Sequence, residues 1–152
     1  NNPAMCAYSE ARTIDFAAHY NDALKNSFPT SQDMFLLSIG TGEEKEPFLY
    51  EEAKDWGLVG WLQPLLDILM SANSETVDYQ LRQMFNTTEP GNYVRMQPDL
   101  FHANSQMDNA TQANMLALKD AAQKFVIEHK AKLNAVVQKL IENKTIIKKA
   151  TT

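Results

Sequence analysis

Met34-Phe35-Leu36-Leu37-Ser38-Ile39-Gly40-Thr41-Gly42 is the stretch whose reading decides the fold. It is a short apolar run with Asp33 before it and a glycine pair at its end. A run of this length bounded by turn residues reads as a β-strand covered on both faces. Burying Phe35, Leu36, Leu37 and Ile39 completely is worth about 1.5–3 kcal/mol each, roughly 6–12 kcal/mol together, if other elements supply that cover. The neighbouring segments are therefore read for what they can lay against this strand.

Upstream, Asn2-Pro3 opens a helix, with asparagine as cap and proline at the first helical position. Ala4, Ala7, Tyr8, Ala11, Ile14, Ala17 and Ala18 follow a helical period, which predicts one helix to about Tyr20, before Asn21-Asp22. Phe28 to Ser31 is a loop into the strand. Downstream, residues 43–55 hold six acids, two lysines and Pro47, an exposed loop running into a short helix at about 51–56. The apolar segment 57–70 is helical in period, and Pro64 must begin or kink its helix because it has no amide donor. Asn73-Ser74-Glu75 offers a fresh cap, followed by Val77, Leu81, Met84 and Phe85 on one face of another helix.

Thr88 to Gly91 reads as a turn. Asn92 to Gln97 alternates Tyr93, Arg95 and Gln97 against Val94 and Met96 and predicts a second strand, at an edge or half-buried, closed by Pro98. From an Asp108 cap, Met115, Leu118, Ala122, Phe125, Val126, His129, Leu133, Val136, Val137 and Leu140 step by three and four. That pattern is one long helix or two successive ones with a bend. The sum is a helix-rich α/β chain with about two strands, and two strands make a poor sheet. Its 152 residues fit one domain, a sheet-associated part over 1–123 and an amphipathic helix and tail over 124–152.

Charge narrows the function. The net charge of −5 conceals an acidic body, because seven of the 14 basic residues lie after residue 123 against only Glu128 and Glu142. An acidic body argues against nucleic acid as a partner. The lysine-rich end is the solvated face of a helix or a peripheral contact for anionic lipid. No apolar run approaches the ~20 residues of a membrane span and no signal-peptide layout opens the chain. The chain starts Asn1-Asn2-Pro3 without methionine, so its natural N-terminus is expected to be absent and its compartment is unspecified.

Catalytic signatures are missing. No Gly-x-Ser-x-Gly surrounds any serine, and Ser38 sits inside the strand. His19, His102 and His129 are far apart and form no metal-ligand spacing, so no metal or cofactor is called for. The single Cys6 allows no internal disulfide and reads as a small buried hydrophobe in its helix. Trp56 and Trp61 flank the Gly-punctuated segment and read as core packing or as a lipid-facing lid. Asn86, Asn109 and Asn143 head Asn-x-Thr triplets, relevant only in a secreted eukaryotic protein. Gly40-Thr41-Gly42 lacks the residues of a dinucleotide fingerprint or a P-loop. It remains a tight turn at a strand's C-terminal end, where open α/β sheets place their clefts.

Taken together, these residues resemble the C-terminal half of a patatin-like phospholipase. The resemblance rests on Asn1-Asn2-Pro3 with its helix, Leu36 to Gly42, and Ala53-Lys54-Asp55-Trp56-Gly57 with Trp61. It continues through Val77-Asp78-Tyr79 with Phe85, Asn92 to Gln97, and Met107-Asp108-Asn109-Ala110-Thr111 with Asn114-Met115, covering about residues 1–120. Pro64 departs from the pattern, so the lid-side helix is expected to bend differently. The resemblance implies a three-layer α/β/α fold and hydrolysis of lipid acyl esters by a serine–aspartate dyad. Both dyad residues and the oxyanion loop would lie upstream of Asn1, so no residue of this chain is assigned a catalytic role. Asn1, Asn2, Pro3, Gly40, Thr41 and Gly42 would be neighbours of the substrate cleft. The missing N-terminal half, or a second copy of the chain, is the implied partner at the sheet edge.

Overall fold

The computed structural model describes residues 2–21, 26–44, 48–86, 91–106 and 108–150. Asn1, Pro47 and the expected turn at 88–90 lie outside the described residues. The order is α1 (Ala4–Ala11), α2 (Phe16–Tyr20), β1 (Leu36–Ile39), α3 (Tyr50–Ala53), α4 (Leu62–Asn86), β2 (Tyr93–Met96), α5 (Gln112–Glu128) and α6 (Lys130–Ala150). The chain is helix-rich with two parallel strands, the partial α/β fold expected. It forms two compact units, Asn1–Gly40 with Glu46–Met96, and Thr41–Lys45 with Gln97–Thr152.

In the first unit β1 and β2 pair in parallel, Leu36 opposite Tyr93 and Ile39 opposite Met96. Two parallel strands need a crossover, and α3 and α4 provide it. The core is built from Ala4 and Tyr8 of α1, Leu81 and Phe85 of α4, and Tyr93 of β2, with Leu36 and Val77 packed against it. Leu81 and Phe85 are wholly enclosed. Aromatic edges organise this core: the Tyr8 and Phe85 rings meet edge-to-face at 5.5 Å and Phe85 lies 5.9 Å from Tyr93.

Several local expectations are corrected. The strand is shorter than 34–42 and is not covered on both faces: Phe35, Leu36 and Leu37 are half-buried and Ile39 is 70% exposed. Only α1 and β2 pack against β1 among the described residues, so much of the expected burial is unmet. The helix expected to reach Tyr20 is two helices. Asp15 starts a new one by accepting from the Ala18 amide at 3.0 Å, and Ser27, twelve residues on, donates to the same oxygen at 2.7 Å. Cys6 is exposed, because Ala4 and Tyr8 turn inward and Cys6, two residues past Ala4, faces away.

α4 is continuous through Asn73-Ser74-Glu75, where a cap was expected. Those residues lie on exposed or half-buried positions of the helix, and Thr76 Oγ1 bonds back to the Ala72 carbonyl at 2.8 Å without ending it. Pro64 is the third residue of α4, inside the first turn, where its missing amide has no intrahelical partner to lose. Trp56 and Trp61 contact each other at 5.3 Å and Phe48 joins Trp56 at 5.5 Å, but this cluster stands apart from the core, with Trp61 42% exposed.

The second unit carries α5 and α6. α5 is capped by Thr111, whose hydroxyl accepts from the Asn114 amide at 3.3 Å; the start at Asp108 is corrected by three residues. Of the two readings of the last segment, two successive helices is the one realised: His129 leaves helical geometry at φ −109°, its ring stacked on Phe125 at 4.2 Å. Among the described residues no helix is long and apolar enough to cross a membrane.

Candidate functional site

The sequence-predicted cleft neighbours divide between the two units. In the first, Asn2 sits at the start of α1 and is 4% exposed. Its Oδ1 accepts from the Ala4 amide at 3.2 Å, so asparagine caps the helix from one place before Pro3, whose carbonyl takes the Ala7 amide. The same oxygen also accepts from the Ser38 hydroxyl at 3.1 Å, thirty-six residues away on β1. Ser38 in turn accepts from Arg95 Nη1 at 2.7 Å on the paired strand. One buried serine therefore joins the entry of α1 to both strands. Gly40, two residues past Ser38, donates its amide to the Met96 carbonyl at 2.8 Å and continues the ladder beyond β1.

A second polar contact lies in the same unit. The Tyr93 hydroxyl donates to Asp78 Oδ1 at 2.7 Å, and Asp78 Oδ2 accepts from Arg82 Nε at 2.8 Å. Burial pushes the Tyr93 phenol up to about 12, and the Asp78 carboxylate adds to that by preferring a protonated partner; Asn2 and Arg95 act in the opposite sense. Asn2 Nδ2 is fully enclosed, and the Asn2 side chain acts on the Tyr93 phenol from that position.

In the second unit Thr41 is exposed, and Gly42 has φ +120°, a backbone region that side chains avoid. A Cβ at Gly42 would fall 2.3 Å from Leu100 Cδ2. Glycine is required there for a close approach within the protein, and among the described residues no helix follows the turn before Tyr50, so the helix start of a nucleotide loop is not seen there. Glu43 is bonded through its backbone to both Pro98 and Leu100 next to it: the Leu100 amide donates to the Glu43 carbonyl at 3.0 Å, and the Glu43 amide to the Pro98 carbonyl at 2.9 Å.

Sequence reasoning missed Ser38 as the partner of Asn2 and Arg95 as the partner of Ser38. The alternation of β2 placed Arg95 on one face with Tyr93, yet nothing local links either residue to position 2. Among the described residues no group of three or more His, Cys, Asp or Glu side chains clusters as a metal site.

The chain is 30% identical over 152 residues to patatin-like protein 1 of Oryza sativa subsp. indica, covering 93% of this chain and 36% of that protein. It is 31% identical over 144 residues to patatin-like protein 2 of Arabidopsis thaliana, covering 88% of this chain and 35% of that one. The chain is related to the patatin-like proteins. A third relative, from Solanum tuberosum, is 36% identical over 92 residues, 57% of this chain and 25% of its own, and bears the name "Probable inactive patatin-3-Kuras 1". The patatin-like chain spans about a third of the length of the first two relatives. No family model matches it, and no solved structure matches it.

Proposed function

We propose that this chain is the C-terminal part of a patatin-like serine acyl hydrolase acting on lipid acyl esters. The observation that carries the reading is similarity to patatin-like proteins along nearly the whole chain. In the intact enzyme a serine within Gly-x-Ser-x-Gly attacks the ester carbonyl and an aspartate takes its proton. The protonated aspartate gives that proton to the departing alcohol. It then takes a proton from the water that attacks the acyl-enzyme and returns it to the serine as the fatty acid leaves. Backbone amides of a glycine-rich loop hold the oxyanion. These groups belong to a segment upstream of Asn1, and the reaction needs no metal or cofactor. Asn2, Pro3 and Gly40 of the first unit neighbour the cleft and perform no chemistry.

The remainder of the patatin-like domain, or a second copy of this chain, extends the two-stranded sheet; exposed Ile39 on β1 supports this partner. Two measurements test the proposal. The 152-residue chain alone is expected to show no turnover of p-nitrophenyl or phospholipid esters, and robust turnover would overturn the upstream placement of the dyad. The longer gene product is expected to carry both motifs and to hydrolyse such esters. Absence of either motif would overturn the assignment.

A second reading concerns α6. It exposes Val137, Leu140 and Ile141 alongside Lys130, Lys132 and Lys139, a basic amphipathic surface suited to peripheral contact with anionic lipid. Flotation with phosphatidylserine vesicles checks it. Salt-sensitive co-flotation is expected, and its absence reduces the lysines to solvation.

A further inference from the structure

We infer that Asn2, fixed by Ser38 and Arg95, is a positioning residue that sets where the main chain enters α1. A plain helix cap needs only an acceptor for one early amide, and an exposed serine or aspartate would serve. Asn2 is different in three respects. Its acceptor oxygen is shared between the helix, at the Ala4 amide, and a strand residue thirty-six positions away. That strand residue is buried and is itself held by a guanidinium from β2. And the enclosed amide end of Asn2 also acts on the Tyr93 phenol of β2, a contact that a cap alone does not require.

The chain of contacts runs from β2 through β1 to the backbone at position 2. It therefore fixes that backbone relative to the sheet as well as to its own helix. A rotation of the Asn2 side chain would break the Ser38 and Ala4 contacts together, so the entry angle of the chain has one well-defined value. This inference rests on the hydrolase reading for its consequence: the stretch leading into Asn2 is where that reading puts the proton-accepting aspartate. An aspartate displaced by about 1 Å loses on the order of 100-fold in rate while substrate binding by distant groups is retained.

Ser38→Ala is the discriminating variant, because it removes the link to the sheet and leaves the Asn2 cap of α1 intact. Asn2→Ser serves as the second, keeping a capping oxygen while shortening the reach toward β1. Both are made in the full-length protein and in the 152-residue chain. In the full-length enzyme, kcat for a p-nitrophenyl ester is expected to fall ~10- to 100-fold with KM within about twofold and an unchanged pH profile above the fall. In either protein, hydrogen exchange at the Ala4 to Ala7 amides is expected to speed up while α4 amides keep their protection. A full-length wild type that is active, with Ser38→Ala retaining its kcat, overturns the positioning role. An inactive wild type overturns the hydrolase reading instead, and unchanged exchange at Ala4 to Ala7 then overturns the link itself.

Discussion

The Tyr93 hydroxyl donates to Asp78 Oδ1 at 2.7 Å, tying β2 to the middle of α4 across the core of the first unit. Arg82 holds the other oxygen of Asp78, and its guanidinium lies 6.0 Å from the Tyr93 ring centre. The bond is partly buried and ends on a charge, the class of hydrogen bond that contributes most. Tyr93→Phe is expected to cost about 1.5 kcal/mol in urea unfolding, the low end for such bonds because Arg82 still satisfies the carboxylate. Absorbance titration near 295 nm supplies a second check. Of the five tyrosines, Tyr93 should ionise at about 12. A phenol whose pKa is raised on folding stabilises the native state below its unfolded value near 10, and that stability drains away as pH climbs toward 12. Tyr93→Phe should therefore remove the titration step at about 12 and flatten this alkaline loss.

Gly42 and Gly91 separate two costs that a glycine can conceal. Both have positive φ, +120° and +90°, but a Cβ at Gly42 meets Leu100 at 2.3 Å while one at Gly91 meets nothing within 4 Å. Gly91→Ala should therefore carry backbone strain alone, about 1 kcal/mol. Gly42→Ala adds overpacking against Leu100 and should cost about 2–4 kcal/mol. Thermal unfolding of the two variants checks the ordering, and equal losses would mean that Leu100 moves aside without penalty.

How much of this was legible in the sequence follows from the range of the interactions. β1 and β2 were readable because apolar runs and alternation are local signals, and Leu36–Ile39 and Tyr93–Met96 lie inside the expected segments. The break between α1 and α2 was not readable. It depends on Ser27 reaching Asp15, a contact that periodicity over 4–18 does not contain. Asn73-Ser74 misled for the opposite reason: residues that cap helices also sit on exposed faces of long ones, and α4 is held by Leu81 and Phe85 farther along. The turn at Gly40–Gly42 was located correctly, but only the approach of Leu100 explains why position 42 is glycine. At the candidate site, Asn2 was legible as a cap. Its link to Ser38 and Arg95 spans all of the first unit and leaves no local trace.

Acid should loosen the segment between α1 and β1 first. Asp15 is held below its ordinary value by the Ser27 hydroxyl and then by the Ala18 amide. Asp33 is held low by the Thr30 amide and hydroxyl, with Asn26 contributing. Both carboxylates are depressed on folding, so their contribution is complete above about pH 3.8 and is lost as pH falls through the lower native values. Hydrogen exchange between pH 5 and 3, corrected for intrinsic rates, should show amides of 16–20 and 26–33 losing protection before those of α4. Asp33→Asn should bring that loss for 26–33 to neutral pH. Simultaneous loss throughout would mean that these carboxylates act only through global unfolding.

Leu81 and Leu58 give the sharpest contrast in what an identical substitution removes. Leu81 is completely enclosed between α1, α4 and β2 in the core with Phe85 and Tyr93, whereas Leu58 is 93% exposed in the loop before α4. Truncating a buried leucine loses the transfer free energy of its side chain and leaves a cavity whose lining atoms lose their contacts, about 2–5 kcal/mol in all. Leu81→Ala should therefore consume much of the stability of a domain this size, ~5–15 kcal/mol, and lower the unfolding midpoint accordingly. Leu58→Ala should shift it by less than ~0.5 kcal/mol in the isolated chain. The same pair measured in the full-length protein tests the proposed incompleteness of this piece. If the rest of a patatin-like domain covers the loop at Leu58, Leu58→Ala becomes costly there while Leu81→Ala keeps its value; an unchanged, near-zero cost would place Leu58 on the outer surface of the whole protein.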